Sequence, residues 1–343
     1  MEDTSQFRVG IIGCGYQGNV LARAIAQVDS LKVTACADIV PERAVALAGS
    51  VCQASAHTCA EDLLAHSDVD IVMVATPHHV LAPISQLAIQ AGKHVLGEKP
   101  CGMNAKELAE IEISAAKAGV CYLAGYSFRY APAWYKVYEL LQARVIGEIQ
   151  TILGFIATSS MDEGWKSAPE TGGGPLLYVG SHLVDQVIWY LQDEPVEVSA
   201  RTWFRNDTHA DQTSSFQVKF ARGATAQLVS TQNAGKTYSS LEIIGQTGII
   251  RMRPCGFLDY EIDVFSRSTD EYQKTATIHE PLTGDVRTIK HCRQLNEFVA
   301  AIRANDSPFV TAASARQVME VIDAVFDSSK THQTIQLASK ITA

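Results

Sequence analysis

Hydrophobic and polar positions change their period partway along the chain. In the first third, short continuous apolar runs alternate with helical spacings. Residues 7–12 read as a buried strand, 19–28 as a helix with Val20, Leu21, Ala24, Ile25 and Val28 on one face, and 31–37 as a second strand. The alternation continues with a strand at 69–75, a helix at 81–91, a strand at 93–97, a helix at 105–118 and a strand at 120–124. This order predicts a doubly wound parallel sheet of the α/β class. Beyond residue 124 a helix at 132–143 leads into segments at 149–158, 196–204, 214–220, 224–232, 239–244 and 248–253, most with period-two alternation. Helices at 293–304 and 313–328 follow. The second pattern predicts an α+β domain with a large, mostly antiparallel open sheet. The expected division is therefore 1–124 and 125–343. Helices on one face of such a sheet leave the other to solvent or to a second copy, so a homodimer or homotetramer through that open face is expected.

The turn after the first strand carries chemistry. Gly13, Gly15 and Gly18 have G-x-G-x-x-G spacing, with Cys14, Tyr16 and Gln17 between them. The first glycine permits a tight turn, the second lets backbone approach a pyrophosphate, and the third lets helix and strand pack closely. Free N–H groups at the helix start then face the phosphates. Asp38 ends the second strand twenty residues past Gly18, where a carboxylate accepts the adenosine ribose hydroxyls and repels a 2′-phosphate. NAD is expected rather than NADP.

Composition narrows the partners. The chain has 343 residues, 47% hydrophobic and 19% charged, enough for two domains with their own cores. The net charge of −9 comes with no basic cluster, which argues against nucleic acid. No run approaches 18 apolar residues and residues 1–6 lack the charge pattern of a signal peptide, so neither membrane insertion nor export is expected and a cytoplasmic location is. The eight cysteines have no zinc-type spacing and read as reduced thiols.

Two further segments hold candidate catalytic groups. Glu98-Lys99-Pro100 directly follows an apolar strand, at the strand end where reacting groups of α/β sheets collect, and Pro100 is a candidate for a cis peptide bond. A partly desolvated lysine there could exchange a proton with a substrate hydroxyl, whereas a surface lysine paired with Glu98 is the structural alternative. Thr76-Pro77-His78-His79 leaves another strand end facing the same crevice. The segment from Gly172 to Asp185 opens a helix in which Tyr178, His182 and Asp185 are expected on one face. His182 suits general acid–base work, a buried structural histidine being the alternative. A metal would need a third ligand that is not nearby, so none is expected.

Taken together, the glycine turn and three further runs resemble the glucose-fructose oxidoreductase/inositol dehydrogenase (Gfo/Idh/MocA) family. The runs are G-K-H-V-L-x-E-K-P at 92–100, G-Y-x-x-R-Y-x-P at 125–132 and G-G-G-x-L-L-x-x-G-x-H-x-x-D at 172–185, and the closing F-x-x-A-I at 298–302 also fits. The resemblance implies an N-terminal Rossmann domain, a C-terminal α+β domain, and hydride transfer between nicotinamide and a secondary hydroxyl of a sugar, sugar derivative or cyclitol such as inositol. It further implies that Lys99 acts at the reacting oxygen and His182 beside the substrate. Thr76, Pro77 and His79 would lie along the nicotinamide side of the cofactor, with Glu98 near its ribose. Arg129 would line the cofactor–substrate cleft, and Trp165 with Lys166 would sit in a loop over the site. Many relatives carry Asp four residues before the histidine where this chain has Tyr178. A tyrosine hydroxyl can hydrogen-bond a substrate oxygen but supplies no carboxylate charge. Two other readings remain open from sequence: a glycosidase that uses tightly bound NAD for transient oxidation and elimination, and a non-catalytic dinucleotide sensor.

Overall fold

The computed structural model describes residues 6–51, 54–65, 68–159, 164–204, 210–232, 234–256, 258–279 and 284–338. Its first part runs β1 (Phe7–Ile12), α1 (Tyr16–Ile25), β2 (Leu31–Ala37), α2 (Pro41–Ser50), β3 (Ser55–His57), α3 (Ala60–Leu64), β4 (Ile71–Val74), α4 (His78–Gln90), β5 (His94–Glu98), α5 (Ala105–Ala118) and β6 (Tyr122–Gly125). The six strands form one parallel sheet in the order β3-β2-β1-β4-β5-β6. The order reverses between β1 and β4, and the carboxyl ends flanking such a switch point are where ligands of open α/β sheets bind. Val9, Ile11, Ile71, Val72, Met73, Val74, Val95 and Leu96 are fully buried, as continuous apolar runs covered on both faces require.

The remaining elements are α6 (Pro132–Gln142), β7 (Ile149–Ala157), α7 (Ser181–Leu191), β8 (Pro195–Phe204), β9 (Asp211–Phe220), β10 (Thr225–Thr231), β11 (Tyr238–Gly245), β12 (Gly248–Gly256), β13 (Asp259–Ser266), β14 (Ala276–His279), α8 (Val286–Ala304), α9 (Ala312–Thr331) and β15 (Ile335–Gln336). The second sheet has nine strands in the order β14-β13-β12-β11-β7-β10-β9-β8-β15, and every neighbouring pair except β7–β10 is antiparallel. Ile152, Leu228, Phe216, Ile243 and Ile262 point into the core, whereas Leu153, Gln217, Gln227 and Arg251 alternate onto the exposed face. No helix among the described residues is long and apolar enough to cross a membrane.

Two compact units emerge, one up to Ser127 plus Arg287–Arg316, the other Phe128–Val286 plus the chain from Gln317. Most of α8 and the start of α9 thus belong with the parallel sheet, whereas the sequence reading put them with residues 125–343. The ties are specific: the Ala124 N–H donates to the Val310 carbonyl at 2.9 Å, and Arg316 Nε donates to Glu112 Oε2 at 2.9 Å.

Several elements depart from the sequence reading. α8 begins at Val286 instead of residue 293, because its first turns bury polar residues that interrupt apolar spacing: Lys290, His291 and Gln294 are all buried. The helix expected to carry Tyr178, His182 and Asp185 on one face is two pieces, a π-helical turn at Leu176–Gly180 followed by α7. A π-helical turn is wider than an α-helical one, so α-helical i, i+4 spacing does not carry through residues 176–180.

Asp211 anchors the glycine segment that leads into this turn. The Leu176 N–H donates to its Oδ2 at 3.0 Å, and Gly174, at φ +99°, has no room for a side chain because a Cβ would run into the same carboxylate. Burial pushes the Asp211 carboxyl up to about 7, with the Leu176 N–H opposing the shift. A carboxyl raised in the folded state contributes stability that is full below its unfolded value of about 3.9 and lost as pH rises through the folded value. Chemical denaturation of the wild type should therefore show stability falling between about pH 4 and 7 relative to Asp211→Asn, whose amide oxygen keeps the Leu176 bond. Parallel pH profiles for the two proteins would contradict this assignment.

Candidate active site

The nucleotide-binding end is built by packing. α1 begins at Tyr16 with no side-chain cap, and its first N–H groups open toward the turn. Gly13 sits at φ +98°, and its N–H donates to the Ala37 carbonyl at 2.8 Å. A side chain on Gly18 would collide with the Gly13 carbonyl oxygen, so glycine there sets how closely α1 approaches β1. A Cβ on Gly15 would meet nothing within 4 Å, which leaves the space beside the turn open to a phosphate. Asn19 holds the turn by donating to the carbonyls of Cys14 and Gly15 at 3.0 and 2.8 Å.

Asp38 closes β2 beside this turn. Its Oδ2 accepts from the Cys14 N–H at 2.8 Å and its Oδ1 from the Val40 N–H at 2.9 Å. Two backbone donors orient the carboxylate, and each oxygen keeps a further lone pair for a ribose hydroxyl. Cys14 itself is buried, with Sγ toward the Ala37 carbonyl at 3.3 Å, so its contribution to the turn is through backbone. Tyr16 is 65% exposed, its ring under the Arg287 guanidinium at 5.6 Å.

The other strand ends of the same sheet supply polar groups. In the loop after β4, Thr76 Oγ1 and His79 Nδ1 are buried and find no hydrogen-bond partner among the described residues, while Pro77 precedes the first turn of α4. Orphaned polar atoms at a ligand-binding strand end fit the need of a dinucleotide for hydrogen bonds along its length. These atoms, the open space at Gly15 and the fixed Asp38 carboxylate together fit an NAD(P) cofactor, with Gly13–Gly18 at the pyrophosphate, Asp38 at the ribose and Thr76 to His79 further along.

Glu98 ends β5 almost fully buried, and Lys99 follows it half-buried, joined to Pro100 by a cis peptide. Burial pushes the Glu98 carboxyl up, while the Gln17 amide and the charges of Lys99 and Lys290 favour its ionised form. Gln17 Nε2 donates to Glu98 Oε1 at 2.7 Å and lies 3.3 Å from His291 Nε2, and His291 Nδ1 is 3.0 Å from Gln294 Oε1. Lys290 Nζ donates to Ser127 Oγ at 2.8 Å. Sequence reading missed Lys290, His291 and Gln294, although polar residues at i and i+4 on an otherwise apolar helix face were a signal for a buried network.

In the second unit Asp185, His182 and Tyr178 each have identifiable partners. Asp185 is fully buried and takes Arg129 Nε at 3.1 Å to each carboxylate oxygen and Nη2 at 2.6 Å to Oδ1. Burial pushes the Asp185 carboxyl up and the guanidinium opposes it. Arg129 is buried too, over the Trp189 ring at 5.7 Å, so this pair holds Phe128 and the segment leading into α6 against α7. Asp185 therefore does not orient His182. The His182 ring instead stacks on Phe128 at 4.3 Å, and Phe128 stacks on Trp134 at 4.8 Å. The Tyr178 hydroxyl accepts from Lys166 Nζ at 3.0 Å, the same ammonium lies 4.5 Å from the Tyr178 ring centroid, and Trp165 meets that ring edge-on at 6.1 Å. Trp165 and Lys166 thus pack on Tyr178, and Phe128 packs on His182.

Comparison with known proteins agrees with both units. Residues 7–126 match the oxidoreductase family with an NAD-binding Rossmann fold, and residues 134–251 match the GFO/IDH/MocA C-terminal domain. The chain is 28% identical over 205 residues to the rhizopine catabolism protein MocA of Rhizobium meliloti, covering 58% of this chain and 61% of that protein, less than two thirds of its length. It is 25% identical over 331 residues to D-xylose 1-dehydrogenase (NADP(+)) 2 of Haloferax volcanii, covering 96% and 99%. Among solved structures, levoglucosan dehydrogenase in complex with NADH and levoglucosan shares the fold with a TM-score of 0.91 at 20% identity, covering 97% of this chain and 100% of that one. With a Rossmann sheet whose turn and strand ends fit a dinucleotide and family models matching both that sheet and residues 134–251 of the second unit, the chain belongs to the GFO/IDH/MocA family of oxidoreductases.

Proposed function

We propose that this oxidoreductase is an NAD-dependent dehydrogenase acting on a secondary hydroxyl of a sugar, sugar derivative or cyclitol. The observation that carries the reading is the Asp38 carboxylate, held by the Cys14 and Val40 N–H groups beside an open glycine turn, on the same sheet whose β5 ends in Glu98 and Lys99. A fixed negative charge at the end of β2 suits two ribose hydroxyls and repels a 2′-phosphate. The names of relatives support the substrate class: a D-xylose dehydrogenase and a levoglucosan dehydrogenase both act on sugar-like compounds. The xylose enzyme is named for NADP, and in this chain Asp38 is the feature that favours NAD.

Bound nicotinamide supplies the two-electron acceptor or donor. Lys99, as the neutral amine, takes the hydroxyl proton during oxidation and returns it from the resulting ammonium during reduction, the Glu98 carboxyl that Gln17 positions favouring that ammonium. The family resemblance offers His182, its ring stacked on Phe128, as the alternative proton acceptor. Tyr178 stands where many relatives carry a carboxylate, and its hydroxyl, already accepting from Lys166, donates to a neighbouring substrate oxygen.

A panel of cyclitols, aldoses, sugar acids and glycosides, each run with NAD and with NADP, tests the reading. At least one polyol should give NADH, with NAD preferred. Preference for NADP would overturn the role of Asp38, and aglycone release without net NADH would overturn the dehydrogenase itself. On the best substrate, Lys99→Met should lower kcat by about 10²-fold or more, the usual size of a general acid–base contribution, with NAD binding nearly unchanged. Undiminished turnover in this variant would remove Lys99 from the chemistry.

A further inference from the structure

The nine-stranded sheet carries a second cluster of reactive side chains, at the end of the β12–β13 hairpin and on its edge strand β14. Cys255 Sγ, Asp259 Oδ1 and His279 Nε2 converge there, with the three ligand atoms all within 4.8 Å of one another. His279 Nε2 is 3.0 Å from Asp259 Oδ1 and 3.8 Å from Cys255 Sγ. The register explains how residues far apart in sequence meet. Pro254 pairs with Tyr260 and Gly256 with Asp259, leaving Cys255 as the extra residue of a bulge, and Glu261 pairs with His279 across β13 and β14. A bulge re-aims the side chain it carries, and here the bulged residue turns its thiol toward the other two donors.

We propose that Cys255, Asp259 and His279 form a site for one divalent transition-metal ion of the zinc class. The donor set is a soft thiolate, a borderline imidazole and a hard carboxylate, a mixture suited to zinc and unsuited to magnesium or calcium. Zinc bonds of about 2.0 Å to oxygen, 2.0–2.1 Å to nitrogen and 2.3 Å to sulfur put tetrahedral neighbours roughly 3.3–3.6 Å apart. The 3.0 and 3.8 Å separations from His279 bracket that range, and binding draws Cys255 Sγ and Asp259 Oδ1, within 4.8 Å of each other, to the same spacing. Nearby charges leave these donors to the ion, because Glu261 and Asp263 are already engaged by Arg253 at 3.1 and 2.6 Å. Cys255 and His279 are exposed and Asp259 is partly exposed, so an ion reaches the site from solvent and water fills its fourth position. On binding, the Cys255 thiol proton goes to solvent, the imidazole proton rests on Nδ1, and no electron changes hands. The ion clips the hairpin end to the edge strand, a structural function separate from the cofactor-binding sheet. Sequence spacing gave no sign of it, since the donors meet only through strand register.

The test uses the full chain, stripped of metal and kept reduced, with zinc alone and cobalt(II) alone as probes. Calorimetry should give one zinc ion per chain, and one equivalent of cobalt should give a thiolate-to-metal charge-transfer band with tetrahedral ligand-field bands. Cys255→Ser and His279→Ala should each weaken zinc binding by at least about tenfold. In the unaltered protein, zinc should also slow alkylation of Cys255, located by peptide mass spectrometry, a readout that does not depend on any variant folding. Absence of stoichiometric binding, a cobalt spectrum without the thiolate band, or zinc affinity unchanged in Cys255→Ser would each overturn the site and leave only a His279–Asp259 ion pair.

Discussion

The contact between Gly18 and the Gly13 carbonyl is the constraint on which the nucleotide-binding unit depends. Because no side chain intervenes, the first turn of α1 lies directly against the end of β1, and the helix N-terminus faces the space beside Gly15. That approach also brings the Cys14 N–H within 2.8 Å of the Asp38 carboxylate, so the proposed phosphate and ribose contacts would come from one turn. A larger residue at position 18 would push helix and strand apart and move both at once. The groups proposed to read the cofactor are thus positioned by packing.

Burial of polar groups is the second organising theme. Glu98 sits at the end of β5 where water has little access, and its cost is offset by the Gln17 amide and two lysine charges, one of them on α8. The chain returns from its second unit to place Lys290, His291 and Gln294 beneath the strand end that carries Lys99. In the other unit Arg129 and Asp185 neutralise one another in the interior. Removing either alone would strand a buried charge, a change worth several kcal/mol, while removing both is far milder. Such pairs define where α7 lies more than they add to stability.

The contrast between what could and could not be read from sequence follows from these interactions. β1, β2, β4 and β5 were legible because strands buried on both faces are written as unbroken apolar runs, and the glycine turn because its spacing reflects direct steric needs. The start of α8 was hidden because a helix face that buries Lys290 and His291 looks polar in a linear reading. β13 and β14 were missed although Tyr260, Ile262 and Val264 alternate inward, since the outward positions Glu261 and Asp263 are charged and make the segment resemble a loop. The pairing of Asp185 with Arg129 could not be read at all, because the two lie 56 residues apart and meet only through the fold.

Cofactor fit, family membership and the strand-end lysine converge on one claim, that this protein moves a hydride between a carbinol carbon and nicotinamide. The direct measurement is isotopic: a substrate deuterated at the carbon bearing the oxidised hydroxyl is incubated with the enzyme and NAD, and the reduced cofactor is examined by NMR and mass spectrometry. The account requires deuterium at C4 of the nicotinamide ring, on one face only. Reduced cofactor without label, or deuterium found in solvent instead, would contradict it.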